Sequence, residues 1–161
     1  MSHINAYAAG IFDGEGYVGI DRGSPSSGKE KRINYCLRVV ISQKDGAIMY
    51  WLKNNFGGNV YSQRNGTKYS IYRWRIHSEG AARFLEAVLP YVIIKKPQVE
   101  FALSFNRQRK EKLILEGRAK SGTYKSLSKK EIEWRLAQKT QLIELKRIYV
   151  PYIKDTQERT K

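Results

Sequence analysis

The chain has 161 residues, which is enough for one domain with a substantial apolar core. Its 30 lysine and arginine residues against 15 aspartate and glutamate residues give a formal net charge of +15. This imbalance favours a polyanionic partner, most often nucleic acid, over a protein whose basic charge is merely scattered.

The sequence carries no apolar run long enough to span a membrane and no leader of the secretory type, so we expect an intracellular protein that has no membrane partner. Cys36 is the single cysteine, which excludes an internal disulfide. Because only His3 and His77 could join it, a structural zinc site is not expected, and any metal should be a hard ion held by oxygen atoms.

The first predicted element is a short helix that starts at Ile4. Ala6, Ala9, Gly10 and Asp13 recur at spacings of three and four, which predicts one helix face of small residues. A glycine inside a helix costs about 0.5–1 kcal/mol relative to alanine. Helices usually accept that cost where another backbone comes close.

Two carboxylates, Asp13 and Glu15, follow at the carboxyl end of this helix, between Gly14 and Gly16. The helix end already carries partial negative charge, so acidic side chains there are unfavourable unless a divalent cation binds. Residues 14–19 also fit the G-x-G-x-x-G dinucleotide pattern, but that pattern needs a strand before it and a helix after it. The predicted order here is the reverse.

Two strands are predicted next, over residues 17–22 and 33–42, joined by a basic loop over 23–32. In the first strand Val18 and Ile20 would face the core. The opposite side would carry Tyr17, Gly19 and Asp21. In the second strand the apolar face comprises Ile33, Tyr35, Leu37, Val39 and Ile41, and the other face comprises Asn34, Cys36, Arg38, Val40 and Ser42.

A helix over residues 45–56, with Ile48, Trp51 and Leu52 inward, precedes a hairpin whose arms are 59–64 and 68–77. Asn65-Gly66 between alternating segments is a strong hairpin signal. In the second arm we assign the apolar set to the core and the arginines to the open face, although a slip of one residue would exchange them. The apolar set is Tyr72, Trp74 and Ile76, and the arginines are Arg73 and Arg75.

Three helices complete the prediction: 79–92 with Ser78 as N-cap, 97–117 with Pro97 as its first residue, and a last helix ending near Tyr149. Ser128 and Glu131 fit a capping box at the start of the last one. The order of elements predicts an α+β fold, a four-stranded antiparallel sheet with helices packed on one face. We expect a single domain over 1–161, with a core of about 1–117 and a helical extension over about 118–161.

Residues 8–16, Ala-Ala-Gly-Ile-Phe-Asp-Gly-Glu-Gly, resemble the signature of the LAGLIDADG homing endonucleases. The direct matches are Ala9, Gly10, Asp13 and Gly16. Ile11 and Phe12 are hydrophobic substitutes, Ala8 stands where leucine is usual, and Glu15 replaces the last aspartate but keeps a carboxylate. Within this family a single motif implies a homodimer that associates through the motif helix. The predicted layout is also that of this fold over about the first 115 residues.

Phosphodiester cleavage needs an activated water and neutralised phosphate charge, which carboxylate-bound metal ions can provide. Glu15 is the predicted metal ligand, joined by the Gly14 carbonyl. The expected ion is Mg²⁺ or Mn²⁺, with Ca²⁺ supporting binding without cutting. Asp13 is a further candidate for the catalytic site, with bonding to backbone groups across the helix interface as the alternative.

Two more catalytic residues are implied by the resemblance. Gln43 matches the position that orients water at the metal site, and Lys95 matches the basic residue that stabilises charge at the scissile phosphate. Ala47 stands where family members often have another basic or polar residue, and Lys44 and Lys96 are the neighbours that could replace it. A solvated loop is the alternative for Lys95 and Lys96.

The open face of the sheet is the predicted DNA-binding surface. A ten-residue strand spans roughly 33 Å, close to one turn of B-DNA at about 34 Å, so two monomers would cover about two turns of a pseudo-palindromic site. Arginine reads guanine and asparagine reads adenine, whereas lysines more naturally hold phosphates. The predicted base-reading residues are Asn34, Arg38, Arg64, Arg73 and Arg75, and the other predicted DNA contacts are Lys29, Lys31, Arg32, Lys44 and Lys96.

The sequence therefore indicates a homodimeric, Mg²⁺-dependent, site-specific DNA endonuclease that makes a staggered double-strand break. Two alternatives remain open: a maturase of the same fold that binds intron RNA and assists its splicing, and a DNA-binding regulator that has lost catalysis.

Overall fold

The computed structural model describes residues 2–22, 35–64, 70–115 and 127–148. Within these ranges the chain forms five helices and four strands. In chain order they are α1 (Ser2–Glu15), β1 (Gly16–Arg22), β2 (Tyr35–Gln43), α2 (Gly46–Phe56), β3 (Asn59–Arg64), β4 (Ser70–His77), α3 (Ser78–Val88), α4 (Lys96–Leu115) and α5 (Lys129–Ile148). The predicted basic loop 23–32, the Asn65-Gly66 turn, and the connection and tail around α5 lie outside the described residues.

The four strands form one antiparallel sheet in the order β1-β2-β4-β3. Val18 pairs with Val39, and Ile41 pairs with Trp74. All four side chains are buried, so this side of the sheet carries the main core. The predicted α+β fold and the predicted face of Trp74 are confirmed, and the register has not slipped.

Helices α1, α2, α3 and α4 cover this buried side, and aromatic rings join them to the sheet. Phe84 of α3 makes edge-to-face contacts with Phe12 at 5.8 Å, Phe56 at 5.1 Å and Trp74 at 5.0 Å between ring centroids. Such pairs contribute about 0.5–1.5 kcal/mol each beyond the burial of their area. The Trp74 indole also donates to the Gly57 carbonyl over 2.8 Å, which satisfies its one polar group.

Helix α3 differs from the prediction at both ends. It ends at Val88 instead of residue 92, because Pro90 has no N–H to donate and its ring would collide with the preceding turn. Ser78 is not its N-cap. Strand β4 runs directly into α3, so the extended His77 occupies the cap position without a side-chain hydrogen bond, and α3 begins at Ser78, whose φ of 50° lies in the left-handed region.

The ends of α2 and α5 carry side-chain caps. The Asp45 carboxylate accepts a 2.8 Å hydrogen bond from the backbone N–H of Ala47, so Asp45 precedes α2 and is not part of it. At α5 the Ser128 hydroxyl accepts from the backbone N–H of Glu131 over 3.2 Å, which is half of the predicted capping box. The other half is replaced, because the buried Glu131 carboxylate pairs with the buried Arg135 at 2.7 Å.

The last helix, α5, packs against α4 and the outer strand β1. Leu142 joins Phe105 and Ile20 in a second buried cluster, and Trp134 stacks on Phe105 at 5.5 Å. Arg135 also donates to the Tyr35 carbonyl over 3.2 Å. The extension is thus fastened to the sheet by apolar and polar contacts. None of the described helices has both the length and the apolar character that a membrane crossing requires.

Candidate active site and nucleic-acid interface

The carboxyl end of α1 is tied to the turn that leads into α4. The Asp13 carboxylate accepts three backbone hydrogen bonds, from Ile93 at 2.7 Å, Ile94 at 3.2 Å and Lys95 at 2.9 Å. Asp13 therefore bonds backbone groups, as the structural alternative predicted, but these groups belong to a turn of its own chain. With three donors bound to its oxygens, Asp13 is placed to position this turn.

Lys95 lies beside the same helix end. Its Nζ donates to the carbonyl of Asp13 and lies 5.9 Å from the centre of the Phe12 ring. Partial burial lowers the pKa of Lys95 below its usual value, and the negative charges of Asp13 and Glu15 oppose that shift. The ammonium group is thus held close to the carboxylates of the motif.

An open cleft of about 420 Å³ lies next to the motif helix. Gly14, Glu15 and Gln43 line it together with four earlier residues of α1, namely Ala6, Tyr7, Gly10 and Ile11. Glu15 and Gly14 are exposed, and Gln43 is the last residue of β2. The structure therefore brings Gln43 next to the two predicted metal-binding residues, although Gln43 is far from them in sequence.

The oxygen atoms of this cleft suit a hard divalent cation. They are the exposed Glu15 carboxylate, the amide oxygen of Gln43 and the carbonyl of Gly14, which lies in the last turn of α1 where carbonyls lack an intrahelical donor. Within the described ranges, no three His, Cys, Asp or Glu side chains gather into a metal-binding group. One chain thus offers a partial ligand set.

The small residues of α1 divide between two sides, contrary to the single face predicted for them. Ala8, Ala9 and Phe12 are buried against the chain's own core, whereas Ala6 and Gly10 are exposed. A Cβ added at Gly10 would meet no atom within 4 Å. The outer side of the motif helix is therefore free of steric obstruction within the described chain.

The open face of the sheet carries the predicted arginines. Arg73 lies across from Ser42 and Arg75 across from Val40, and Arg38 is on the same face as Ser42. Arg73 Nε donates to the Ser42 hydroxyl over 3.2 Å, and the Arg75 guanidinium lies 5.3 Å from the ring centre of Tyr61. All three arginines point away from the helices, as predicted.

His77 and Tyr61 lie on this open face too, although the sequence analysis did not single them out. The two-residue alternation that places Arg73 and Arg75 there also reaches His77, so the signal was available. Burial is the largest cause that lowers the pKa of His77, followed by the positive charges of Arg75 and Arg38. The neutral imidazole is therefore favoured on this basic surface.

The outer strand β1 adds a charged cluster to the open face. Arg38 Nη2 lies 2.7 Å from the Asp21 carboxylate, and the Arg38 guanidinium lies 5.8 Å from the ring centre of Tyr17. Lys146 of α5 lies 3.9 Å from the same ring and donates to the Val18 carbonyl. No local pattern could have predicted Lys146, because its partners are more than 120 residues away.

Three of the remaining predicted DNA contacts lie at or next to the ends of described elements. Lys44 and Lys96 are exposed, just after β2 and at the start of α4. The backbone of Arg64 pairs with Ser70 at the end of β3. Lys29, Lys31, Arg32 and Asn34 lie outside the described residues.

Comparison with solved structures finds the same architecture in homing endonucleases. The homing endonuclease I-CvuI in complex with its target in Ca²⁺ superposes with a TM-score of 0.57 at 17% identity, over 88% of this chain and 95% of that one. The meganuclease I-AabMI bound to uncleaved DNA gives a TM-score of 0.59 at 17% identity, over 83% of this chain and 44% of that one. I-SmaMI bound to uncleaveable DNA gives 0.61 at 16% identity, over 84% and 43%.

At these identities the structural likeness concerns the fold. Among curated protein sequences nothing matches this chain. The sequence profile of the family described as LAGLIDADG endonuclease matches residues 8–93, which run from the motif to the turn before Lys95. This match covers more than half of the chain and includes Glu15, Gln43 and the whole sheet. The chain belongs to the LAGLIDADG endonuclease family.

Proposed function

We propose that this protein is a homodimeric homing endonuclease that binds a long pseudo-palindromic DNA site and makes a staggered double-strand break. One observation carries the proposal: the exposed Glu15 carboxylate lies in one cleft with Gln43, beside the Lys95 ammonium and at one end of a sheet whose open face is lined with arginines.

Each residue of this site has a role in phosphodiester hydrolysis. Glu15 and the Gly14 carbonyl would hold a divalent ion, Mg²⁺ or Mn²⁺. Such an ion, when bound, neutralises phosphate charge and lowers the pKa of a coordinated water. The Gln43 amide hydrogen-bonds the attacking water and orients it toward phosphorus. The Lys95 ammonium offsets the negative charge that grows on the phosphate oxygens and on the departing 3′ oxygen.

Asp13 acts through Lys95 and does not touch the substrate. Its carboxylate is bound by the backbone of Ile93, Ile94 and Lys95, and its carbonyl receives the Lys95 Nζ. Asp13 is thus a positioning residue. It sets the distance between the Lys95 ammonium and the carboxylate of Glu15.

Two features support the homodimer: each chain carries a single motif, and one side of α1 is exposed. A double-strand break needs two cleavage sites, and this chain contributes one motif. Close contact between two α1 helices, through Ala6 and Gly10, would place both Glu15 side chains near a twofold axis. Each would then serve one DNA strand, and the symmetry of the pair would be matched by the pseudo-palindromic site.

Selection on randomised duplex DNA tests the proposal. The protein binds the duplex pool in Ca²⁺, Mg²⁺ is then added, and a Glu15→Gln variant is carried in parallel. We expect a long, roughly palindromic site that the wild type cuts on both strands and the variant does not. A bound but uncut site would favour the non-catalytic regulator. Lack of any preferred duplex, with intron RNA bound tightly instead, would favour the maturase.

A further inference from the structure

Asp21 is an unexpected residue on a surface that should meet DNA. Among the described strand residues that face away from the helices, it is the one acidic side chain, and its neighbours are arginines, aromatic rings and neutral groups. A carboxylate there opposes the phosphate attraction that the arginines provide. Its contribution must therefore lie in something other than general affinity for DNA.

The contacts of Asp21 point to a partner, Arg38. One carboxylate oxygen lies 2.7 Å from Arg38 Nη2, and both side chains are partly shielded, with 17% and 29% of their surfaces exposed. The Tyr17 hydroxyl lies 3.5 Å from both carboxylate oxygens. Arg38 Nε is buried without a hydrogen-bond partner. The guanidinium is thus held at one edge, while part of the Arg38 side chain remains exposed.

The Tyr17 ring that supports this pair is itself held in place. It lies across Gly19, where an added Cβ would come within 2.6 Å of the ring. Gly19 also pairs with Arg38 in the sheet. Because Gly19 has no side chain, the Tyr17 ring fits beside the arginine. Lys146 of α5 binds the ring at 3.9 Å and donates to the Val18 carbonyl. Helix α5 therefore helps to hold the Tyr17 ring in place beside Arg38.

An arginine fixed in one orientation suits a single kind of base edge. Guanine presents two acceptors, O6 and N7, to the major groove, whereas adenine presents a donor in place of O6. A guanidinium offers donors only, so it gains two hydrogen bonds with guanine and meets a donor at adenine. Holding the side chain beforehand reduces the conformational entropy lost on binding.

We propose that Asp21 and Arg38 form one base-reading unit that selects guanine at one position of each half-site, with Arg38 as the contacting residue and Asp21 as its positioning residue. This inference rests on the proposed DNA-binding function. The carboxylate holds the guanidinium toward the base and repels phosphates, so a duplex without guanine at that position is bound less well.

The test compares base preferences of the wild type, Asp21→Asn and Arg38→Met, selected on randomised duplexes in Ca²⁺. The wild type should prefer guanine at one position of each half-site by roughly tenfold or more, the range for a bidentate contact. Asp21→Asn should lose most of that guanine preference but keep the base preferences at the other positions. It should also bind unrelated duplexes more tightly than the wild type does. Glu133→Gln removes the same charge from the exposed surface of α5 and should leave every preference unchanged.

A chemical substitution keeps the test independent of variant folding. When 7-deazaguanine replaces guanine at the identified position, the N7 acceptor is lost, so wild-type affinity should fall by roughly tenfold and Arg38→Met affinity should change little. The proposal would be wrong if Asp21→Asn kept the guanine preference unchanged. It would also be wrong if Asp21→Asn weakened the base preferences at all positions equally. Failure of the wild type to enrich any duplex would instead overturn the proposed function itself.

Discussion

Lys95 is joined to Asp13 at both of its ends: its backbone N–H donates to the Asp13 carboxylate over 2.9 Å, and its Nζ donates to the Asp13 carbonyl. The end of the motif helix and the turn before α4 are therefore linked twice by one residue pair. Because Glu15 follows two residues after Asp13, the carboxylate and the ammonium keep a fixed separation.

Asp13→Ala should destabilise the fold more than loss of an ordinary helix cap. It removes three backbone hydrogen bonds to a charged acceptor, two of them exposed and the one from Lys95 part-buried, and a net hydrogen bond contributes about 0.5–1.5 kcal/mol. Asp45→Ala, which removes the single cap bond of α2, should cost about 1 kcal/mol. Denaturant titration of both variants measures the difference. Equal losses would show that water replaces Asp13 at little cost.

Glu15→Gln should abolish cutting while the fold is retained. The substitution keeps the shape of the side chain but removes the charge that binds the cation, and metal-ion stabilisation is worth several kcal/mol, which corresponds to about a hundredfold or more in rate. Single-turnover cleavage in Mg²⁺ measures the effect. Glu86→Gln, on the exposed side of α3, is the matched control and should cut normally. Normal cutting by Glu15→Gln would contradict the metal assignment.

Gly10→Leu should convert the proposed dimer to a monomer without unfolding it. A Cβ at this position meets no described atom within 4 Å, so the added side chain should leave the chain's own core intact and obstruct a second copy. Gly80→Ala is the opposite case, because its Cβ would lie 2.8 Å from Ile76, and it should lower thermal stability without changing assembly. Sedimentation equilibrium and circular dichroism separate these effects. A Gly10→Leu protein that remains dimeric would exclude this face of α1 as the interface.

Lys146 should titrate far below an ordinary lysine. Burial is the largest cause, and the neighbouring charges of Arg38 and Lys95 add to it, against the opposing charge of Asp21; together they lower the pKa of Lys146 from 10.5 to about 8. Between these two values the unfolded chain binds more protons than the folded one, so the free energy of unfolding rises with pH in this window.

Comparison with Lys146→Met isolates this contribution. The wild type should gain stability relative to the variant as the pH is raised from about 8 toward 10.5, and the gain should be absent below the folded-state pKa. Denaturant titrations of both proteins at several pH values provide the measurement. A difference that does not change with pH would mean that the Lys146 amine is well solvated.

Local patterns predicted most of the fold, because β2 and β4 alternate between buried and less buried residues and most helices begin or end at a recognisable residue. Trp74 and Arg73 were assigned to the correct faces for this reason. The end of α3 was missed although Pro90 was visible in the sequence, since the apolar spacing past it was given more weight. The resemblance of residues 8–16 to the family signature indicated Glu15 and Gly14 as candidate metal-binding residues.

Long-range pairs were beyond such reasoning. The contact of Asp21 with Arg38 depends on the register between β1 and β2, and the contacts of Lys146 depend on how α5 returns to the first strand. Neither has a periodic signature. The burial of Glu131 with Arg135 was missed for a different reason: its four-residue spacing is common on exposed helix faces, so only tertiary packing reveals it.

No residue separates α1 from β1: the helix ends at Glu15 and the strand begins at Gly16. The position of Glu15 is therefore rigidly coupled to Tyr17 and the first strand of the open face. A duplex that lies one base pair out of register would shift its backbone relative to both groups together, so it could be bound through its phosphates while the scissile bond misses Glu15. Discrimination between sites should consequently be sharper in cutting than in binding.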